Sequence, residues 1–133
     1  VSTVHLQRRG DRLIETPAIH DGDNQIGIER YFTDVSRLGA NVHLWHFEPG
    51  SSEGAHVHED SEALDELYLV VAGELVMTVN GERTVLRAGD SVYAEAQTDH
   101  GIANESDAPA DLVLVWGPQF AGELPGRSGQ VTR

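Results

Sequence analysis

The chain contains no cysteine, which removes disulfides, thiolate metal ligands and a cysteine nucleophile at one stroke. Basic residues are also scarce. Nine stand against 22 acidic ones, for a formal charge of −13 with histidine neutral. A field of that sign repels a phosphate backbone and an anionic lipid surface, so neither nucleic acid nor membrane is expected as a partner. No apolar run approaches the roughly 20 residues needed to span a bilayer. The first residues lack the basic, apolar and small-residue order of a secretory signal, so a cytoplasmic location is expected. No serine sits in a nucleophile elbow and no glycine-rich phosphate loop is present, which sets aside hydrolase triads and nucleotide binding. Any metal must therefore be held by imidazole and carboxylate, a ligand set suited to first-row divalent ions.

What the chain does contain is a series of short, turn-punctuated apolar runs, the pattern of a β-sandwich or barrel. Leu67–Val71 and Leu75–Val79 read as strands separated by Ala72-Gly73. Asn80-Gly81 then gives the strongest short hairpin signal. Arg83–Leu86 returns, the segment 87–90 turns, and Ser91–Ala94 is the next strand. Further strands are expected at Ile26–Phe32, Val42–Phe47, His100–Asn104 and Leu112–Trp116. Helix signals are thin: Glu59–Asp65 has a cap in Asp60 or Ser61 and room for one turn. With 133 residues the chain is read as one domain. Residues 1–25 form an arm or edge strand, 26–116 the barrel, and 117–133 an extended tail.

Four residues carry the chemistry. His56 and His58 stand two apart, and on a strand, where side chains alternate, that spacing points both imidazoles to one face. Glu66 opens the next strand and adds an anionic oxygen. His100 follows one hairpin later. Three neutral nitrogens and one carboxylate leave a net +1 site for a divalent ion, with positions free for water or substrate. If Glu66 faces inward, Tyr68 and Val70 do too, which makes Tyr68 a candidate phenol donor; Met77 and Val79 are candidates for the same cavity. On Val42–Phe47, His43, Trp45 and Phe47 share a face. His43 and Trp116 are assigned to packing or an interface ahead of chemistry, and no chemistry is expected of His5 or His20.

The segments Gly50–His58, Glu66–Gly73 and Gly89–Asn104 together resemble the two motifs of the cupin superfamily. The first reads Gly50-x5-His56-x-His58-x7-Glu66-x6-Gly73, and the second Gly89-x5-Glu95-x-Gln97-x2-His100-x3-Asn104, so the motifs lie at 50–73 and 89–104. The resemblance implies an all-β double-stranded β-helix (jelly-roll) barrel, assembled as a homodimer. It also implies one divalent metal, Fe, Mn, Ni, Cu or Zn, on His56, His58, Glu66 and His100. The seven residues between His58 and Glu66 exceed the family's three or four, which makes Glu62 a rival ligand. Glu66 is preferred, because its spacing to Gly73 keeps family register. Glu95 and Gln97 replace the usual Pro and Gly, so Glu95 joins Glu66 and Tyr68 as a candidate catalytic group.

A site of this kind suits a metal-dependent enzyme acting on a small oxygenated molecule, aromatic or polyketide-like. Oxygenase (dioxygenase) chemistry is placed first, a Lewis-acid cyclase or isomerase second, and a non-catalytic small-molecule binder third.

Overall fold

The computed structural model describes residues 3–57 and 63–120, and these form ten strands. They are β1 (Leu13–Pro17), β2 (Gln25–Arg30), β3 (Asn41–Phe47), β4 (Ser52–His56) and β5 (Leu64–Ala72). The rest are β6 (Glu74–Val79), β7 (Glu82–Arg87), β8 (Ser91–Ala94), β9 (His100–Ala103) and β10 (Ala110–Pro118). A six-stranded sheet runs β1-β2-β3-β10-β5-β8 and faces a four-stranded sheet, β4-β9-β6-β7, with every pairing antiparallel. The all-β barrel read from the sequence is thus the observed architecture.

Period-two burial explains why these residues form strands. Along β5, Glu66, Tyr68 and Val70 are buried while Leu67 and Leu69 are only half-buried. Along β3, His43, Trp45 and Phe47 point inward. The inward rows meet in one core, with Ile26, Phe47, Tyr68, Leu75, Met77, Ile102 and Leu112 among its most buried members. Burying a Phe, Leu or Ile side chain of this kind contributes about 1.5–3 kcal/mol each. The β6–β7 hairpin turns at Asn80 and Gly81, both left-handed (φ 49° and 82°), as its two-residue turn requires.

Three local devices position the site. Asn104 donates to the carbonyls of Phe47 (3.0 Å) and Ala108 (2.8 Å), and its backbone exchanges hydrogen bonds with Gly50 and Ser51. That clamp fixes β9 beside β4 and sets His56 directly opposite His100. Asp65 accepts from the Tyr93 hydroxyl (2.6 Å) and the Ala96 amide (2.8 Å), tying the β8–β9 turn to the start of β5. The third device is a short 3-10 turn at Ile19–Asp21, lying against β4. A side chain at Gly22 would collide with the Ser52 carbonyl, and one at Gly54 with the His20 carbonyl. Only glycine at both positions allows this approach.

Several boundaries differ from expectation. Leu64 and Asp65 already belong to β5, so the helical turn placed at Glu59–Asp65 does not extend to them; residues 59–62 lie outside the described residues. β4 ends at His56 after a register shift between Glu53 and His56, so the alternation used to align His58 with His56 stops short of His58. β10 continues through Gly117 and Pro118, because both pair with β5. Residues 121–133 of the expected tail lie outside the described residues.

Candidate metal centre

Three of the four expected ligands converge. Ligand atoms of His56, Glu66 and His100 lie within 4.8 Å of one another. His58 and its neighbour Glu62, the rival carboxylate, lie outside the described residues. Both imidazoles are oriented in the same way. His56 Nδ1 donates to the Gly54 carbonyl (3.0 Å) and His100 Nδ1 to the Thr98 carbonyl (2.8 Å), each two residues upstream. A carbonyl only accepts, so each Nδ1 carries the proton and each Nε2 turns its lone pair into the site, as a metal-binding imidazole requires.

The charge balance also fits a cation. His100 Nε2 lies 2.8 Å from Glu66 Oε1. With Nδ1–H already engaged, a neutral His100 would set a lone pair against a carboxylate, so a positive species is needed between them. Burial opposes charge on His100, but the Glu66 hydrogen bond and charge and the Thr98 carbonyl outweigh it, holding its pKa above the ordinary imidazole value. A divalent ion satisfies the same requirement without the extra proton. His56, Glu66 and His100 therefore fit a metal.

Tyr68 bridges two buried carboxylates. Its hydroxyl lies 3.1 Å from Glu66 Oε2 and 3.1 Å from Glu53 Oε1. Burial, then the charges of Glu53 and Glu66, push the phenol pKa well above its usual value, so Tyr68 keeps its proton. One hydroxyl has one proton to donate, so it serves one carboxylate fully and needs a proton from the other. Burial first, and the neighbouring Glu66 charge second, push Glu53 up to about 8.

Glu53 and His20 were not selected from the sequence. The His20 ring stacks on His56 with centroids 3.6 Å apart, and His20, Glu53 and His56 form a second group able to hold a metal. His56 belongs to both groups and offers its one inward nitrogen to one ion at a time. His20, of which no chemistry was expected, nevertheless lies beside the site, because the Gly22–Gly54 approach brings its turn against β4.

These groups open on a cavity of about 310 Å³ between the sheets. Its wall includes Ile28, Trp45, Leu114 and Trp116, with Arg30 and His43 beside them. His43 and Trp116, assigned from sequence to packing or an interface, both line this space, as does Trp45; Met77 belongs to the core and is not part of the lining. Burial, with a smaller contribution from the Arg30 charge, lowers the His43 pKa to about 4. The ring is neutral at physiological pH, and the Trp45 indole N–H points at its Nδ1 (3.4 Å).

Glu95 does not join them. It is exposed on the β8–β9 turn, where its carbonyl accepts from the Thr98 amide, and it is absent from the cavity lining. The reason is the Asp65 clamp on Ala96, which holds the turn along the outside of the barrel. Gln97, where the family motif has glycine, is left-handed at φ 70°.

A Cupin domain family model matches residues 43–116, more than half of the chain, a span that includes the candidate ligands His56, Glu66 and His100. The chain belongs to the cupin family. This cupin is 33% identical over 80 residues to an oxalate-binding protein of Thermotoga maritima. That match covers 60% of this chain and 61% of the relative, so the chain spans under two thirds of the relative's length. The crystal structure of a predicted oxalate decarboxylase from Thermotoga maritima superposes with a TM-score of 0.78 at 21% identity, over 86% of this chain and 100% of that one. A cupin described as a sugar phosphate isomerase from Silicibacter pomeroyi gives 0.63 at 26% identity, over 77% of this chain and 63% of that one. Among the described residues, no helix is long and apolar enough to cross a membrane.

Proposed function

We propose that this cupin is a metal-dependent enzyme that acts on a small oxygenated organic molecule bound in the cavity between its sheets. The observation that carries the reading is the convergence of His56, Glu66 and His100 beside a cavity whose wall also includes Ile28, Trp45, Leu114 and Trp116. With His58 as fourth ligand, the site would hold one divalent ion. Such an ion supplies Lewis-acid polarisation of a bound oxygen, or redox chemistry when the metal is iron or copper.

The chain's own residues then have separable tasks. Glu66 and the two imidazoles hold the ion, and the Thr98 and Gly54 carbonyls fix the rings. Tyr68 keeps Glu66 oriented through its hydroxyl. Trp45, Trp116, Ile28 and Leu114 exclude water, which strengthens every electrostatic interaction in the site. Glu53, buried and joined to Glu66 through Tyr68, is able to exchange a proton beside the bound molecule.

That carboxyl–phenol–carboxyl chain favours proton transfer on a polarised substrate, as in an isomerase, cyclase or lyase, ahead of the oxygenase chemistry ranked first from sequence. The names of the relatives, an oxalate binder and a sugar phosphate isomerase, are in keeping with small oxygenated ligands.

Elemental analysis of protein purified without added metal, run beside oxygen uptake with candidate substrates, tests the reading. A stoichiometric divalent metal with no oxygen uptake is expected. Iron or copper with substrate-dependent uptake would return the oxygenase to first place. Metal-free protein that binds a small ligand tightly would make it a binding module.

A further inference from the structure

The chain has no lysine, so its nine arginines carry all of its positive side-chain charge apart from histidine. Among the described residues, four are paired with carboxylates: Arg9 with Asp111, Arg12 with Asp34, Arg83 with Glu105 and Arg87 with Glu74. Arg30 differs from these. It lines the cavity, and among the described residues no carboxylate lies within ion-pairing distance of its guanidinium.

Its position follows from strand register. Arg30 pairs with His43 across β2 and β3, and Ile28 pairs with Trp45 one step further along the same face. Directly opposed residues share a face of the sheet, and all four of these side chains line the cavity. The guanidinium is close enough to His43 for its charge to act on the ring. Arg30 thus ends a wall that is apolar below it and neutral beside it. In a chain of net charge −13, a cation that faces a cavity and has no carboxylate partner among the described residues is arranged for an anion from solution.

We propose that Arg30 is the substrate-anchoring residue of this cavity, and that the substrate carries a carboxylate which its guanidinium receives. This inference rests on reading the cavity as the substrate site of a metal-dependent enzyme. A carboxylate suits the position better than a phosphate ester. One planar guanidinium matches one carboxylate in a two-bond fork, whereas a phosphate dianion calls for a second positive charge, which a neutral His43 and two tryptophans do not supply. Along the sheet, β2 lies three strand positions from β5, about 14 Å by ordinary strand spacing. A molecule engaged at both Glu66's ion and Arg30 is therefore several carbons long.

Calorimetric titration with succinate, glutarate and adipate, each beside its uncharged diamide, tests this on wild-type protein, Arg30→Gln and Arg30→Lys. Arg30 is exposed, so neither variant disturbs the core. At least one dicarboxylate is expected to bind wild type more tightly than its diamide. Arg30→Gln should weaken that binding about 10- to 100-fold, Arg30→Lys should retain part of it, and the diamides should not respond. Unchanged dicarboxylate affinity in Arg30→Gln, or diamides binding as well as acids, would overturn the proposal. So would Arg30-dependent binding of glycerol phosphate with none of the dicarboxylates. Metal content is measured on the same samples. Arg30-dependent binding by protein that holds no metal would remove the metal-enzyme reading and leave the anion site standing.

Discussion

The two sides of the cavity solve opposite electrostatic problems. On one side, β4, β5 and β9 crowd Glu53, Glu66, His56 and His100 around the Tyr68 hydroxyl, with both carboxylates almost fully buried. So much negative charge is tolerated there only with protons or a cation among the groups. On the other side, β2, β3 and β10 present Ile28, Trp45, Leu114 and Trp116, and burial keeps His43 uncharged. Two histidines of one barrel are thus driven apart, His100 upward by its Glu66 partner and His43 downward by burial. The difference shows that residue type alone does not make an imidazole a ligand; what faces its second nitrogen does.

Removing one side's candidate metal ligands should break the contrast most completely. His100→Ala or His56→Ala is expected to abolish stoichiometric metal by elemental analysis, and full retention would remove the assignment. The choice of carboxylate comes next. Glu66→Gln should lose most of the metal while Glu62→Gln keeps it, and the reverse result would move the ligand into the acidic loop.

Acid and base sharpen the comparison in metal-free protein. Glu53 ordinarily titrates near 4.5 and in the fold near 8. The folded chain therefore holds a proton that the unfolded chain has released, so stability falls as pH rises from 4.5 to 8. His43 moves from 6.5 to about 4, so its contribution is present above 6.5 and is lost as pH falls toward 4. Each effect amounts to about 3–5 kcal/mol at most. Denaturant melts across pH should show the alkaline loss flattened by Glu53→Gln and the acid loss flattened by His43→Gln. Equal slopes in wild type and variants would refute the burial argument. Metal should suppress the alkaline loss, because a cation favours the ionised carboxylates.

The smallest expected effect concerns the turn outside the barrel. Gln97→Gly should stabilise the fold by up to about 1 kcal/mol, since glycine meets no side-chain penalty at a left-handed position. Metal content should stay unchanged. A destabilised variant would mean that the Gln97 side chain contributes a contact exceeding that strain.

Much of this was legible in the chain itself. Glu66, Tyr68 and Val70 were placed inward by alternation, and Asn80-Gly81 announced its hairpin, because both signals depend only on neighbours in sequence. His56 and His100 were recognisable through motif spacing. His20 and Glu53 were not chosen. Glu53 is one acidic residue among 22, and nothing local to His20 reveals that Gly22 and Gly54 let its turn press onto β4. Glu95 was drawn toward the site by its nearness in sequence to His100, while the hydrogen bonds of Asp65 hold its turn outside. The sequence by itself determined the strands and the imidazole–carboxylate character of the centre, since periodicity and residue chemistry are local properties, and the resemblance of its motifs to the cupins implied the barrel. Only the tertiary structure decided which remote groups close around that centre and which face away. Those outcomes depend on close backbone approach, burial and cross-strand register between segments far apart in the chain.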